Sequence, residues 1–420
     1  MRLDALRSAI RHPITQNVLA LGTVQVAVTV VPLITLPYLA RVLDRSHFGL
    51  VVFAQTFSFL VALVVEYGFN LSATRDVARR RQDPAELART VASVQGAKLL
   101  LAGLATALGL ALWPAVPIFR HAPELLAYGV ALGILQGFVP VWFFLGIERA
   151  RPVALAELTS RLAALALIVV FVRHKRDTDL VLAFYVLAAA ASAGGLTVLM
   201  FRRVAPALPT LGGCREALRR GRTLFAGTGA TAFYTGANAF LLGLVISTSQ
   251  VAIFASAEKI VRAATRVLGL MVQAVYPRAS VLVSRGDTGR AQRLSLVSLL
   301  IFGGAALAGA GLLALLAPTV VHVVFGSRFD AAIPLLRILS IVIPLNVVGV
   351  VLSAQWLLPR GRDRRVTTVL IAACVLNAAL VITAAKASGL HATAWALVVV
   401  ESFVVAGYGL GLRRFAKQQH

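Results

Sequence analysis

The sequence predicts an all-α, polytopic membrane protein of about 12 transmembrane helices. Three observations carry that reading: 59% of the 420 residues are hydrophobic, only 14% are charged, and uncharged runs of membrane-spanning length recur from end to end. Mean hydropathy is +0.84, far above a soluble mixture. Crossing roughly 30 Å of hydrocarbon takes about 20 helical residues. Residues 12–40, 125–147, 180–201, 338–359 and 366–385 each reach that length without a charge. Two longer runs, 223–257 and 294–327, hold a span plus adjoining chain.

Taken in order, the first half reads as spans at 16–40, 47–71, 91–116, 124–147, 153–172 and 180–201. The second half reads as spans at 223–246, 251–277, 293–317, 333–357, 366–386 and 391–412. Between them "RRVAPALPTLGGCREALRRGR" (202–222) mixes Pro, Gly and charge and reads as a cytoplasmic linker. The expected domains are therefore an N-terminal six-helix bundle at 1–201, the linker at 202–222, and a C-terminal six-helix bundle at 223–420. Six spans on each side make both halves enter the membrane in the same direction, as repeats related by a pseudo-two-fold along the membrane normal do. "SHFGLVVFA" (46–54) laid over "STSQVAIFA" (247–255) is a faint internal echo of that repeat.

The net charge of +24 raises the question of nucleic acid. A polyanion reader concentrates its cations on a folded soluble module, and no such module is visible, so no nucleic acid is expected as a partner. The basic residues follow topology instead. With a cytoplasmic N-terminus, inside segments carry 27 Lys and Arg and outside segments 8, which places both termini in the cytoplasm. "MRLDALRSAIRHP" lacks a signal peptide's apolar core and reads as a short amphipathic helix on the cytoplasmic surface. Cys214 and Cys374 fall too far apart on this map for a disulfide.

No GxxxxGK[ST] motif is present, the seven histidines are scattered without metal-ligand spacing, and no Ser/His/Asp or paired-carboxylate arrangement emerges. An enzyme is not expected, nor a cofactor or metal. What remains is the set of ionisable residues within spans, where each is costly and marks a pathway or a buried pair. The bases are Lys98, Arg161, Lys259, Arg262, Arg266 and Arg337; the acids are Glu66, Glu157, Glu258 and Glu401. Glu157 with Arg161 and Glu258 with Arg262 stand four residues apart and can cancel on one helix face.

The remaining cations outnumber the remaining acids, so the interior is expected to lean positive. In "ASAEKIVRAATRVLG" (255–269), Lys259, Arg262 and Arg266 share one helix face, a stripe suited to phosphate oxygens. Snorkelling to the inner surface competes with that reading, most of all for Arg266. Lys98 is expected to pair with Glu66 in the neighbouring span, Glu66 as a protonation switch being the alternative. Asn70, Asn238 and Gln25 are in-span polar groups able to bind sugar hydroxyls or a neighbouring helix.

Prolines cluster in the first span (Pro32, Pro37) and the tenth (Pro334, Pro344), where lost hydrogen bonds should bend the helix. A gating role at those bends is one reading. Trp113, Trp142, Trp356 and Trp395 fall near span ends as an aromatic belt would. The runs "GGAALAGAG" (303–311) and "GYGLG" (407–411) allow close helix packing.

"PLITLPYLARVLDRSHFGLVVFAQ" (32–55) followed by "EYGFNLSATRDVARRR" (66–81) resembles the start of Wzx-type O-antigen and polysaccharide flippases. These form the oligosaccharide flippase family of the multidrug/oligosaccharidyl-lipid/polysaccharide exporter superfamily. "VAIFASAEKIVRA" (251–263) and "QAVYPRAS" (273–280) look like the matching signature in the second half, and the resemblance covers nearly the whole chain.

The resemblance implies a flippase in the bacterial cytoplasmic (inner) membrane. It would carry undecaprenyl-diphosphate-linked oligosaccharide from the cytoplasmic to the periplasmic leaflet by alternating access around a central cavity. It also implies membrane lipids, a polysaccharide polymerase and a chain-length regulator as partners, and a monomer. The positions it carries over are Arg41, Tyr67, Asn70, Arg75, Lys259 and Arg262. Together with the in-span readings, the expected cavity set is Lys259, Arg262, Arg266, Asn238, Asn70, Arg41 and Lys98. Glu66, Arg75, Tyr67, Pro32 and Pro37 are expected at gating or ion-pair positions. Asp44 departs from the pattern, which has a glycine in the turn after "RVL".

Three rivals remain. A multidrug or cation antiporter of the same superfamily should carry unpaired acids in its cavity. A polymerase or ligase acting on lipid-linked sugars needs substantial outside loops, and the longest here surrounds residues 318–333. A membrane scaffold gives no reason for a buried cationic stripe.

Overall fold

Side-chain caps open several of the long helices. The computed structural model describes residues 31–416 other than Leu33, with side chains as far as residue 410; among them the chain is helical, with no strand. The amphipathic segment at 1–12, Gln25 and most of the first span lie outside the described residues. After α1 (34–42), Asp44 takes extended backbone (φ −74°, ψ 171°) and accepts the His47 N–H at 2.9 Å, starting α2 (Arg45–Glu66). The glycine expected in this turn is therefore not needed, because no positive φ occurs there and the aspartate serves as an N-cap. Burial raises the Asp44 carboxyl, but the His47 N–H, the His47 ring and the charges of His47 and Lys175 together hold it below the ordinary carboxylate value.

Tyr67 (φ 46°) and Gly68 (φ 73°) both adopt the left-handed conformation and separate α2 from α3 (Phe69–Arg80). Asp83 then accepts from the Ala85 and Glu86 N–H groups, with Pro84 at the first position, to start α4 (Pro84–Leu112). The N-terminal helices continue with α5 (Pro123–Phe138), α6 (Val141–Gly146), α7 (Arg151–Phe171) and α8 (Thr178–Phe201). Next comes α9 (Leu211–Gly236), so the latter half of the expected linker is helical. Thr210 caps it, its hydroxyl accepting the Gly213 N–H at 3.1 Å. Glu216 supports it one turn on by bonding Arg219 and Arg220, each at 2.8 Å.

The chain separates into two compact units, Met1–Gly229 and Ala230–His420. In the first, a stripe of small residues on α5 sets the packing. A Cβ at Gly133 would lie 2.5 Å from the Ser58 carbonyl oxygen and one at Gly137 2.6 Å from Val65 Cβ, so α5 lies backbone-close to α2. Beneath them Phe69, Trp142, Phe143 and Phe144 form a buried core. Trp142 is fully buried, which corrects its place in the expected aromatic belt: α6 turns it into the core, while Trp113 and Trp395 stay exposed.

The second unit contains α10 (Asn238–Gly243) and α11 (Thr248–Gln273), the latter opened by a Ser247/Gln250 capping box. It continues through α12 (Tyr276–Ser284), α13 (Thr288–Ser298), α14 (Gly304–Leu315), α15 (Ala317–Phe325), α16 (Ala332–Ser340) and α17 (Val342–Val351). The break at Ile341 between α16 and α17 falls where Pro344 has no N–H for the Ser340 carbonyl, as a proline in the tenth span predicts. The final run, α18 (Asp363–Ala416), is interrupted at Gly389 (φ 74°, ψ −159°), between the two spans drawn at 366–386 and 391–412. In the run at 407–411, Gly407 packs closely, with Val369 carbons 3.0 Å from where a Cβ would stand. In "GGAALAGAG" the buried Ala306 and Ala310 form the packing face, while Gly304, Gly309 and Gly311 face nothing within 4 Å.

Nine helical segments among the described residues are long and apolar enough to cross a membrane, the last of them the 48 residues Asp363–Leu410 that include the Gly389 break.

Candidate functional site: a buried polar network and a polar cavity

In the second unit, a buried network gathers on three helical elements. Asn238 stands at the start of α10, just past Ala237 where α9 ends. Glu258 and Arg262 lie one turn apart on α11, and Asn377 and Glu401 lie on α18 on either side of Gly389. The Asn377 amide donates to Asn238 Oδ1 at 2.8 Å, and the Asn238 amide donates to Glu258 Oε1 at 2.6 Å. Arg262 Nη2 reaches the same Glu258 oxygen at 3.3 Å, and its Nη1 stands 3.9 Å from Glu401 Oε1. Asn346 on α17 hydrogen-bonds Glu401 as well. Asn238, Asn377, Glu258 and Glu401 are all buried, as charges and amides in apolar surroundings require when they are mutually satisfied.

This arrangement revises the electrostatics expected of the cationic stripe. Arg262 is answered by two carboxylates of its own unit, and Lys259 lies within Coulombic range of Glu258. Lys259 is half-buried, while Arg266 is exposed two turns further along α11. The excess of positive charge expected here is largely cancelled, because Glu401 folds back onto Arg262 from more than a hundred residues away.

In the first unit, a cavity of about 230 Å³ is lined by Thr35, Gln136, Glu157, Arg161, Tyr185 and Ser192, with Pro32 at its edge. Glu157 and Arg161 form the expected pair at 3.2 Å. Tyr185 hydrogen-bonds Gln55 and Thr35. Arg161 Nε and the buried Ser192 hydroxyl have no hydrogen-bond partner. The cavity thus offers both signs of charge and several hydroxyls to a polar guest.

The other expected residues lie elsewhere. Lys98 is fully buried, donates to the Gly137 carbonyl at 2.7 Å and sits 5.9 Å from the Trp142 ring centre. Glu66 lies within Coulombic range of it but makes no ion pair with it within 4 Å, and accepts the Asn70 backbone N–H at 3.1 Å instead; the expected pair is thus a through-space one, while the lysine's direct bond goes to a helix-end carbonyl. Asn70 Oδ1 is buried without a partner. Tyr67 stacks on Phe225 at 4.6 Å. Pro37 is half-buried on α1, and Arg41 and Arg75 are exposed.

Sequence reading missed Asn377, Gln136, Tyr185 and Ser192. Asn377 had a usable signal, an amide in the middle of an uncharged run. Among the described residues, no group of His, Cys, Asp and Glu is placed to hold a metal ion.

Membrane-length helices with ionisable and amide groups buried inside them define a polytopic membrane transporter. The fold matches an inward-facing multidrug resistance MATE family transporter of the MOP superfamily with a TM-score of 0.69 at 15% identity, over 93% of this chain and 99% of that one. It matches the lipid II flippase MurJ in an inward closed conformation with a TM-score of 0.64 at 10% identity, over 90% and 86%.

Residues 14–283 match the family described as "Polysaccharide biosynthesis protein", and the chain belongs to that family. It is 28% identical to a protein named "Putative O-antigen transporter" from Escherichia coli (strain K12), over 87% of this chain and 88% of that protein. A protein of the same name from Shigella dysenteriae is 26% identical, over 86% and 90%.

Proposed function

We propose that the chain is a flippase that carries a lipid-linked oligosaccharide across the membrane. The observation that carries this reading is similarity along nearly the full length of two proteins named as O-antigen transporters, joined to membership of the polysaccharide biosynthesis family. A helical membrane fold shared with a lipid II flippase is consistent with it. The finer reading is undecaprenyl-diphosphate-linked O-antigen or exopolysaccharide repeat, moved from the cytoplasmic to the periplasmic leaflet of the bacterial inner membrane by alternating access. Both termini are assigned to the cytoplasm on the arginine bias. The chain acts as a transporter and not as an enzyme, and it works as a monomer alongside a polysaccharide polymerase and a chain-length regulator.

Roles divide according to what each side chain touches. The half-buried Lys259 and the exposed Arg266 and Arg41 are assigned to the phosphate oxygens. Asn70, whose carboxamide oxygen is unsatisfied, is assigned to sugar hydroxyls. Arg262 and Asn238 are positioning residues that tie α10, α11 and α18 together. Lys98 holds α4 to the end of α5. Gating is assigned to the Tyr67–Gly68 junction with Glu66 and Arg75 beside it, and to Pro37 on α1 with Pro32 ahead of that helix.

The test is complementation of a strain that lacks its own O-antigen flippase. The expected result is restored surface polysaccharide and a fall in accumulated lipid-linked repeat. Normal membrane abundance with no restored polysaccharide, together with resistance to organic cations, would replace this reading with the antiporter.

A further inference from the structure

The helix end that follows the Tyr67–Gly68 junction carries a second feature, which shares only Arg75 with the roles assigned above. Between α3 and the start of α9 lies a groove of about 360 Å³, lined by Ser72, Arg75, Arg79, Arg80 and Arg220, with Asp76 as its one acid. Arg80 and Arg220 are answered by carboxylates, Glu86 at 3.9 Å for the first and Asp76 and Glu216 for the second, so the groove's positive charge comes from Arg75 and Arg79. Arg220 is held by Asp76 at 3.1 Å and by Glu216 at 2.8 Å, and Arg80 donates to the Thr90 hydroxyl at 2.8 Å. Arg75 and Arg79 are exposed and have no hydrogen-bond or ion-pair partner among the described residues.

The walls are rigid. Tyr67 stacks on Phe225, and α9 crosses so closely that a Cβ at Gly221 would stand 3.0 Å from the Tyr67 carbonyl oxygen, and one at Gly68 3.2 Å from the Phe225 nitrogen. The Asp76–Arg220 bridge pins the same two helices one turn further along. Arginines in the last turn of α3 also suit the helix dipole, which accounts for Arg79 and Arg80. It does not account for Arg75 a turn earlier, or for Arg220 delivered by another helix to the same groove.

We infer that this groove is a binding site for the diphosphate of a lipid headgroup, a docking point on the N-terminal unit distinct from Lys259, Arg266 and Arg41, the residues assigned above to the phosphate oxygens. The inference rests on the flippase reading for the identity of that lipid. Planar guanidinium forks bind phosphate oxygens bidentately, and two free forks beside two anchored ones match an anion with two phosphate centres. A volume of about 360 Å³ stands at the low end of small-ligand pockets, enough for a headgroup's phosphates and too small for an oligosaccharide. Leu224 is one of the groove's walls, and Leu71, next in the chain to its Ser72, is half exposed on α3. Phosphate and lipid tail would thus meet matching surfaces. The arginine bias places this end of α3 on the cytoplasmic side, where a lipid-linked precursor is presented before crossing.

The test uses the full chain in nanodiscs of phosphatidylcholine, titrated with undecaprenyl diphosphate and read by native mass spectrometry. Wild type should bind with an affinity that falls steeply as salt is raised. Arg75→Gln/Arg79→Gln should bind at least about tenfold more weakly, and Arg75→Lys/Arg79→Lys should retain part of the affinity because it keeps the charge but loses the forks. Unchanged binding by the Gln variant, with its unfolding temperature equal to wild type, overturns the proposal. So does salt-insensitive binding by wild type, which needs no variant to fold.

Equal affinity for phosphatidylglycerol overturns the diphosphate assignment, and displacement by an equal concentration of sodium pyrophosphate overturns the lipid source. Complementation separates the two levels. Restored export by wild type with no effect of the Gln variant on binding sinks the docking site alone, whereas diphosphate binding without restored export sinks the flippase reading alone.

Discussion

Replacing Arg262 with alanine should destabilise the second unit, whatever it does to transport. The guanidinium is the cation against two buried carboxylates, 3.3 Å from Glu258 and 3.9 Å from Glu401. Breaking a buried pair by removing one partner costs about 3–5 kcal/mol, because the other charge stays buried and uncompensated. The lower end applies here, since the Arg262 side chain is 21% exposed and Glu258 keeps its bond from Asn238. For a unit of this size, about 3 kcal/mol corresponds to a fall of roughly 6–12 °C in the unfolding midpoint. The assay is thermal unfolding of the purified, detergent-solubilised protein followed by size-exclusion fluorescence, with membrane abundance measured in parallel. A triple variant, Glu258→Gln, Arg262→Ala and Glu401→Gln, removes all three charges and should recover most of the loss. An Arg262→Ala protein that melts within about a degree of wild type, or a triple variant no more stable than the single one, would show that the network does not hold the unit together.

Three further outcomes follow from other parts of the fold. Asn238→Ala leaves the Asn377 amide and a Glu258 oxygen short of a partner and should destabilise by about 1–3 kcal/mol. A double-mutant cycle with Asn377→Ala should then show clear non-additivity in the melting temperature. Gly133→Leu should abolish membrane abundance, because even a Cβ there meets the Ser58 oxygen at 2.5 Å, whereas Gly304→Ala, with nothing within 4 Å, should be neutral on the same blot.

Asp44→Ala removes an N-cap worth about 1 kcal/mol. Because the folded Asp44 carboxyl is held below its ordinary value, the stabilisation is present above the unfolded value of about 3.9 and is lost as pH falls through the folded value. Wild type and variant should therefore converge in melting temperature only under strongly acidic conditions.

Local chemistry was legible in the sequence, and long-range pairing was not. The break at Gly389 and the interruption before Pro344 could be read because each follows from one residue's own backbone. The pairs Glu157–Arg161 and Glu258–Arg262 could be read because helix geometry brings residues four apart together. Trp142 was misplaced because a span end and a buried turn look alike in one dimension; only the packing of α6 against α3, where Thr74 donates to the Trp142 carbonyl, distinguishes them.

The α2–α5 seam was overlooked although "GVALGILQG" (129–137) displays glycines every fourth residue, a small-residue stripe of the kind that packs membrane helices. The run at 303–311, legible by its glycine and alanine content, packs through Ala306 and Ala310 and not through its glycines. The Asn377–Asn238–Glu258 chain spans 139 residues between its first two members, a distance over which no local pattern speaks. Glu401 shows the same limit with a functional cost: its return to Arg262 turns an apparent surplus of cations into a balanced cluster.

Gly389 imposes a further constraint on how this protein can diverge. Its combination of φ 74° and ψ −159° belongs to a region of backbone space that essentially glycine alone occupies. Two membrane-length helices meet there through a single residue, so any side chain at that point would strain the joint itself. Relatives that lose the glycine must lengthen the connection, and variation at this junction should appear as insertions and not as substitutions.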